Sequence, residues 1–127
     1  MLYAEASALV KLVVEEAESE LLRRLLADSA PVCSSVVAAV EVSSAAGRRV
    51  GERGVELTEI ALQAISWLEL ESAVVGDARR RVGLRALDAI HLASALSLGS
   101  DLEGLVTYDR RLAEAAREAG LDVLAPA

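Results

Sequence analysis

Four acidic residues of this sequence have apolar neighbours, which distinguishes them from its other carboxylates. Glu5 lies between two alanines, and Glu41 lies in the segment SSVVAAVEVSSAA. Asp88 lies in LRALDAIHLASAL, and Asp109 directly follows GLVTY. An isolated buried carboxylate costs several kcal/mol unless it is paired or bound to a metal. Four such residues in one short chain therefore predict a bound cation. Taken singly, each acid is also explained by a helix cap or by a buried pair with arginine.

The chemistry of such a site follows from its oxygen donors. Carboxylates suit hard cations such as Mg²⁺ or Mn²⁺. Glu5 and Asp109 each follow a predicted strand and Asp88 begins a predicted helix at the same sheet edge, so these three are the candidate metal ligands, with Glu41 as a fourth catalytic carboxylate. Ser7 and Thr107 lie two residues from an acid, where a hydroxyl can support it or cap a helix. A metal-activated water at this site would hydrolyse phosphodiester bonds.

The predicted elements bring these residues to one edge of a sheet. Short apolar segments predict strands at 1–4, 31–33, 71–75, 104–107 and 122–124. Helical spacing predicts helices at 8–14, 17–27, 35–50, 55–70, 76–82, 87–98 and 110–119, with Ser7 capping the first and Ser34 or Ser35 capping the third. This alternation indicates an α/β fold with a central parallel β-sheet and helices on both faces. In such folds the site lies beyond the carboxyl ends of the strands.

Composition excludes several classes of protein. A length of 127 residues indicates a single domain, 1–127, and a hydrophobic fraction of 54% excludes a wholly disordered chain. Aromatic residues make up only 2% and the net charge is −7, which argues against base stacking and against coating nucleic acid by bulk positive potential. One cysteine and one histidine are too few for a disulfide or a zinc site, and they favour the cytoplasm. No apolar run approaches the ~20 residues of a membrane span, and no signal-peptide pattern is present.

These motifs, in this order and over nearly the whole chain, resemble those of PIN-domain ribonucleases of the VapC toxin type. LYAEASALVKL is similar to the opening strand and turn of that family, with Glu5 where the family usually has Asp. Glu41 after a serine-rich helix start, Asp88 in LRALDAIHLASAL and Asp109 in VTYDRRLAEAA match the remaining acidic positions. The resemblance implies a PIN-like fold and a metal-dependent endoribonuclease, the toxin of a type II toxin–antitoxin system. It also implies an RNA substrate, a cognate antitoxin and a homodimer.

Other residues have two interpretations each. Arg79, Arg80, Arg81 and Arg85 are candidate contacts to an RNA backbone, although a solvated helix face is the more typical explanation of such a run. His91, one helical turn after Asp88, is more typical of a structural residue than of a base or a ligand.

Two alternative functions stay open. One is a PIN-fold protein with weak or lost catalysis that acts by binding RNA or its antitoxin, for which Glu5 is the sequence hint. The other is a non-enzymatic acidic module whose carboxylates receive arginines from a partner.

Overall fold

A computed structural model describes residues 1–29 and 31–127 of the chain. Within these ranges the strands are β1 (Leu2–Ala4), β2 (Val32–Ser35), β3 (Ser66–Leu68), β4 (Gly104–Val106) and β5 (Val123–Leu124). They form one sheet in the order β3-β2-β1-β4-β5, and every pair of neighbours is parallel. The first strand is therefore central. The chain adds β2 and β3 on one side of it and β4 and β5 on the other.

Helices connect the strands and cover the sheet. They are α1 (Ala6–Val13), α2 (Ser19–Asp28), α3 (Val36–Val50), α4 (Arg53–Ala61), α5 (Ser72–Ala78), α6 (Ala86–Leu96) and α7 (Arg110–Glu118). A short 3₁₀ turn at Gly99–Asp101 precedes β4. No helix in the described part of the chain combines the length and apolar character that crossing a bilayer requires.

The alternation of side chains along β1 divides the core into two layers. Leu2 and Ala4 pack on one face with residues of α1, α2 and α3, whereas Tyr3 packs on the other face with residues of α6 and α7. Successive side chains of a strand point to opposite faces, so a fully buried strand needs apolar residues at every position. The predicted α/β fold, with a parallel sheet covered on both faces, is confirmed.

The sequence prediction is wrong between residues 62 and 82. The helix predicted at 55–70 ends at Ala61, and β3 lies within its apolar stripe. The strand predicted at 71–75 belongs instead to α5, which ends at Ala78 before a series of turns, so the helix predicted at 76–82 is also misplaced. β3 is a partly exposed edge strand paired only with β2. Burial on both faces, the sequence signal of a parallel strand, is therefore missing there.

Candidate active site

The four acids lie around the carboxyl ends of β1, β2 and β4. Glu5 directly follows β1, and its backbone N–H donates to the carbonyl oxygen of Val106, the last residue of β4, at 3.0 Å. Asp109 follows β4 and begins α7. Glu41 lies in the second turn of α3, after β2, and Asp88 lies in the first turn of α6. The sheet continues from β1 to β2 on one side and to β4 on the other, so the chain changes direction at this edge. Open parallel sheets bind ligands at such a point.

Glu5 is the centre of a buried hydroxyl cluster. Glu5 is only 5% exposed. Its Oε1 accepts from the backbone N–H of Ser7 at 3.0 Å. Oε2 accepts from both Ser7 Oγ and Thr107 Oγ1 at 2.6 Å. Thr107 Oγ1 in turn accepts from the backbone N–H of Asp109 at 3.1 Å. Glu5 and Asp109 are thus joined through one hydroxyl.

This cluster corrects one sequence prediction. Ser7 does not cap the first helix, because α1 begins one residue earlier and Glu5 is its N-cap. Glu5 has the carboxylate and the extended backbone that a cap requires, which leaves the Ser7 hydroxyl to donate to Glu5 and to accept from the backbone N–H of Tyr108 at 2.8 Å. The alternative of Ser35 as the cap of α3 is confirmed.

Asp88 and Asp109 form a second part of the site, bridged by Arg85. Arg85 Nε lies 3.4 Å from Asp88 Oδ2, and Arg85 Nη2 lies 3.4 Å from Asp109 Oδ2. Asp109 Oδ1 accepts from the backbone N–H of Leu112 at 2.9 Å and caps α7. The pKa of Asp88 is raised, mainly by burial and secondly by the negative charge of Asp109. The positive charge of Arg85 lowers this pKa and so opposes both effects. The charge of Asp109 disfavours the ionised form of Asp88, so a cation beside both side chains is favourable.

Glu41 is held by His91, which the sequence pattern indicated to be a structural residue. His91 Nε2 lies 2.6 Å from Glu41 Oε1, and the ring is fully buried. Glu41 and Glu5 line one groove, together with Ser7 and Leu87. The sequence signal for His91 was its place one turn after Asp88 on α6. Its partner is 50 residues away in the chain and could not be inferred from spacing.

The donor set fits a hard divalent cation in its chemistry. All four side chains offer carboxylate oxygens, and a cationic group, Arg85, already lies 3.4 Å from both Asp88 and Asp109. Across residues 1–29 and 31–127, however, no three His, Cys, Asp or Glu side chains are already arranged as a complete metal-binding group. Glu5 is occupied by its three donors, and Arg85 lies between the two aspartates. All three of these carboxylates are thus already engaged within the chain.

The four arginines suggested as RNA contacts differ in their surroundings. Arg85 contacts the aspartates, and Arg81 pairs with Asp77 one turn earlier at 3.0 Å. Arg79 and Arg80 are exposed. Arg80 and Arg81 also line a separate cleft against α7, next to Arg111. Only Arg85 therefore contacts the carboxylate site directly among the four.

Comparison with known proteins assigns the fold and the family. A family model described as PIN domain matches residues 2–118. Ribonuclease VapC46 of Mycobacterium tuberculosis (strain ATCC 25618 / H37Rv) is 41% identical, with 98% of this chain and 97% of the relative covered. Ribonuclease VapC35 of the same strain is 40% identical, with 99% and 97% covered.

Solved structures show the same fold at lower identity. The crystal structure of VapC20 from Mycobacterium tuberculosis, a toxin that cleaves the sarcin–ricin loop, has a TM-score of 0.78 at 20% identity and covers 99% of this chain and 100% of its own. A toxin–antitoxin complex from Klebsiella pneumoniae has a TM-score of 0.74 at 19% identity, with 100% and 98% covered. VapBC2 from Rickettsia felis, bound to a promoter DNA fragment, also has a TM-score of 0.74, at 13% identity, with complete coverage of both chains.

Proposed function

The chain belongs to the PIN-domain family, and from this membership we propose that it is a Mg²⁺- or Mn²⁺-dependent endoribonuclease, the toxin of a type II toxin–antitoxin system. The relatives that are 40–41% identical over nearly the whole chain are named as ribonucleases, which supports RNA as the substrate. The observation that carries the metal dependence is the aspartate pair, since one cationic group, the Arg85 guanidinium, already lies 3.4 Å from both Asp88 and Asp109.

Each acid has a distinct part in this proposal. Asp88 and Asp109 would hold the ion, and Glu5 is the proposed third ligand because Thr107 Oγ1 joins its carboxylate to the backbone N–H of Asp109. Ser7 and Thr107 keep the Glu5 carboxylate in place. When bound, the cation supplies an activated water and offsets the charge that develops on the phosphate. Glu41 Oε1 is held by His91 in the groove that Glu41 shares with Glu5, and in this proposal Glu41 would accept a proton from the attacking water.

The basic residues near the site would orient the RNA backbone. Arg85 is 66% exposed in its side chain and adjoins both aspartates, so it can exchange a carboxylate for a phosphate oxygen. Arg79, Arg80 and Arg81 follow α5 and remain proposed phosphate contacts. A net charge of −7 makes such local contacts necessary, because the chain as a whole repels RNA.

The proposed partner is a cognate antitoxin, in a cytoplasmic setting. Similar structures include toxin–antitoxin complexes, which supports a partner of this kind. Arg85 already pairs with two site carboxylates, so an arginine of the antitoxin would fit the same carboxylates through its rigid donor fork. The single cysteine, Cys33, is buried and free, which suits a reducing compartment. Mapping of the inhibitory segment to a surface remote from Glu5, Asp88 and Asp109 would contradict this mode of inhibition.

Metal removal and restoration tests the proposed function. The purified protein is incubated with a structured and a single-stranded RNA in EDTA, and then with Mg²⁺ or Mn²⁺ in excess. Cleavage is expected only with added metal, and the products should carry no 2′,3′-cyclic phosphate because water is the nucleophile. Cleavage that persists in EDTA, or cyclic products, would indicate another mechanism or a contaminant. Metal-dependent RNA binding without cleavage would favour the alternative of a PIN-fold protein that has lost turnover.

A further inference from the structure

Glu41 stands at the end of a chain of hydrogen bonds that begins inside the sheet. The backbone N–H of Ser35 donates to Tyr3 Oη at 3.1 Å, and Tyr3 Oη lies 2.7 Å from His91 Nδ1. His91 Nε2 then lies 2.6 Å from Glu41 Oε1. Tyr3 and His91 are both fully buried. A buried polar chain in which every member has a partner holds a single geometry.

The donors and acceptors of this chain define one tautomer of His91. A carboxylate only accepts, so Nε2 carries the ring proton and donates to Glu41. Tyr3 Oη already accepts from Ser35, and its own hydrogen is free for Nδ1. Burial raises the pKa of Tyr3 above its usual range, so the phenol keeps that hydrogen.

The chain also connects the two helical layers across the end of the sheet. Glu41 lies on α3, whose buried residues pack in the layer of α1, whereas His91 lies on α6 in the opposite layer. His91 is three residues from Asp88 on the same helix. One rigid ring therefore fixes the Glu41 carboxylate relative to the helix that carries the aspartate.

We propose that His91 and Tyr3 are positioning residues that hold Glu41 at the groove where it faces the substrate. This inference rests on the proposed ribonuclease function. His91 touches no substrate in this role. It acts only through the carboxylate of Glu41, by donating from Nε2, and Tyr3 acts by keeping the other ring nitrogen an acceptor.

Two substitutions of His91 separate positioning from support of the core. The amide nitrogen of Gln reaches close to the place of Nε2, so His91→Gln keeps a donor for Glu41. The amide of Asn lies near the place of Nδ1, so His91→Asn keeps only the partner of Tyr3. Glu41 is 23% exposed in its side chain and can bind water instead, whereas Tyr3 is fully buried. His91→Gln is therefore expected to be the less stable variant and yet the more active one.

Single-turnover RNA cleavage in Mn²⁺, with thermal unfolding measured in parallel, ranks the two variants by cleavage rate and by stability. His91→Gln is expected within about tenfold of the wild-type rate, and His91→Asn about 100-fold below it, the size of effect that a misplacement of about 1 Å produces. Cleavage rates that follow stability, with His91→Asn faster than His91→Gln, would reduce His91 to a core residue and overturn the inference.

A spectroscopic measurement does not depend on cleavage. His91 is the one histidine of the sequence, so tag-free ¹⁵N-labelled protein gives imidazole signals from this ring alone. The metal-free wild type is expected to show a protonated Nε2 and an unprotonated Nδ1, and Tyr3→Phe is expected to lose this strict preference. An Nδ1–H tautomer, or two protonated nitrogens, would overturn the arrangement.

The wild-type assay separates this inference from the proposed function. If the wild type cleaves RNA and the two His91 variants show the wrong order, only the positioning role fails. If the wild type cleaves no RNA with either metal, the proposed function fails, and the role of Glu41 fails with it whatever the tautomer.

Discussion

Asp88 is a largely buried carboxylate beside a second one, and this predicts how stability depends on pH. Its pKa is raised above the ordinary 3.8 by burial and next by the charge of Asp109, so the folded state binds a proton more tightly than the unfolded state does. The contribution of Asp88 to stability is therefore present below pH 3.8 and is lost as the pH rises through the raised pKa. The Asn side chain of Asp88→Asn stays uncharged, so this variant should not lose that stability as the pH rises.

Urea unfolding of the metal-free protein at a series of pH values measures the effect. The free energy of unfolding of Asp88→Asn should increase relative to that of the wild type as the pH rises. In acid the two free energies should differ little. Asp28→Asn makes the same chemical change at an exposed position and serves as the matched control. A parallel pH dependence in all three proteins would show that Asp88 has no unfavourable charge to lose.

Glu5 has one methylene more than an aspartate would have, and both of its oxygens are engaged by donors. Mg²⁺ requires near-ideal octahedral geometry and tolerates a displaced ligand poorly. Glu5→Asp should therefore tighten Mg²⁺ binding in calorimetry and raise Mg²⁺-dependent cleavage by about 10- to 100-fold, with a smaller gain in Mn²⁺. Glu5→Ala should lower both. If Glu5→Asp is no faster and Glu5→Ala is unchanged, Glu5 is not a metal ligand.

The acids of the candidate site could be proposed from the sequence, whereas the residues that hold them in position could not. Glu5 and Asp88 were detectable because an acid among apolar neighbours is unusual at any position. The link between His91 and its partners was not detectable, since Tyr3 lies 88 residues away from His91 and Glu41 lies 50 residues away. Such contacts depend on the packing of the two helical layers, which no local spacing encodes.

At the scale of elements, the close approach of α4 to α3 makes two glycines respond oppositely to the same substitution. A Cβ at Gly54 would lie 2.5 Å from the backbone nitrogen of Gly47, whereas a Cβ at Gly47 would meet no atom within 4 Å. Gly54→Ala should therefore lower the free energy of unfolding by about 1–3 kcal/mol. Gly47→Ala, within α3, should raise it by about 0.5–1 kcal/mol because alanine favours the helix.

Urea denaturation of both variants checks this pair, and each is the control for the other. Equal effects of the two substitutions would show that the helices are not in the close contact described. Because α3 carries Glu41, the disturbed contact between α4 and α3 in Gly54→Ala should also slow RNA cleavage. Gly47→Ala should leave the cleavage rate unchanged.

The elements near the sheet centre were easier to predict than those at its edge. β1 and β4 are buried on both faces, and their apolar runs show this directly. β3 is short and partly exposed, so its residues continue the apolar stripe of the preceding helix and carry no strand signal of their own. Strand order was not accessible from the sequence either, because it depends on which side of β1 each crossover returns to.

At the scale of the whole molecule, exposed apolar side chains predict self-association. Val40 is 73% exposed and Val82 is 95% exposed, and pairing with a second copy of the chain would remove exposed apolar surface of this kind from water. Light scattering at micromolar concentration should give twice the mass of one chain. A monomer at that concentration would remove the proposed homodimer without affecting the fold.

The central claim about the whole molecule is that its two partly buried aspartates, Asp88 and Asp109, take part in metal-dependent cleavage of RNA. The most direct measurement is the single-turnover cleavage rate of one defined RNA as a function of Mn²⁺ concentration, for the wild type, Asp88→Asn and the exposed control Asp28→Asn. Asp88→Asn should be slower by about 100-fold or more at saturating metal, and the control should match the wild type. If Asp88→Asn cleaves as fast as the wild type, Asp88 is not part of the reacting centre and the proposed site is wrong.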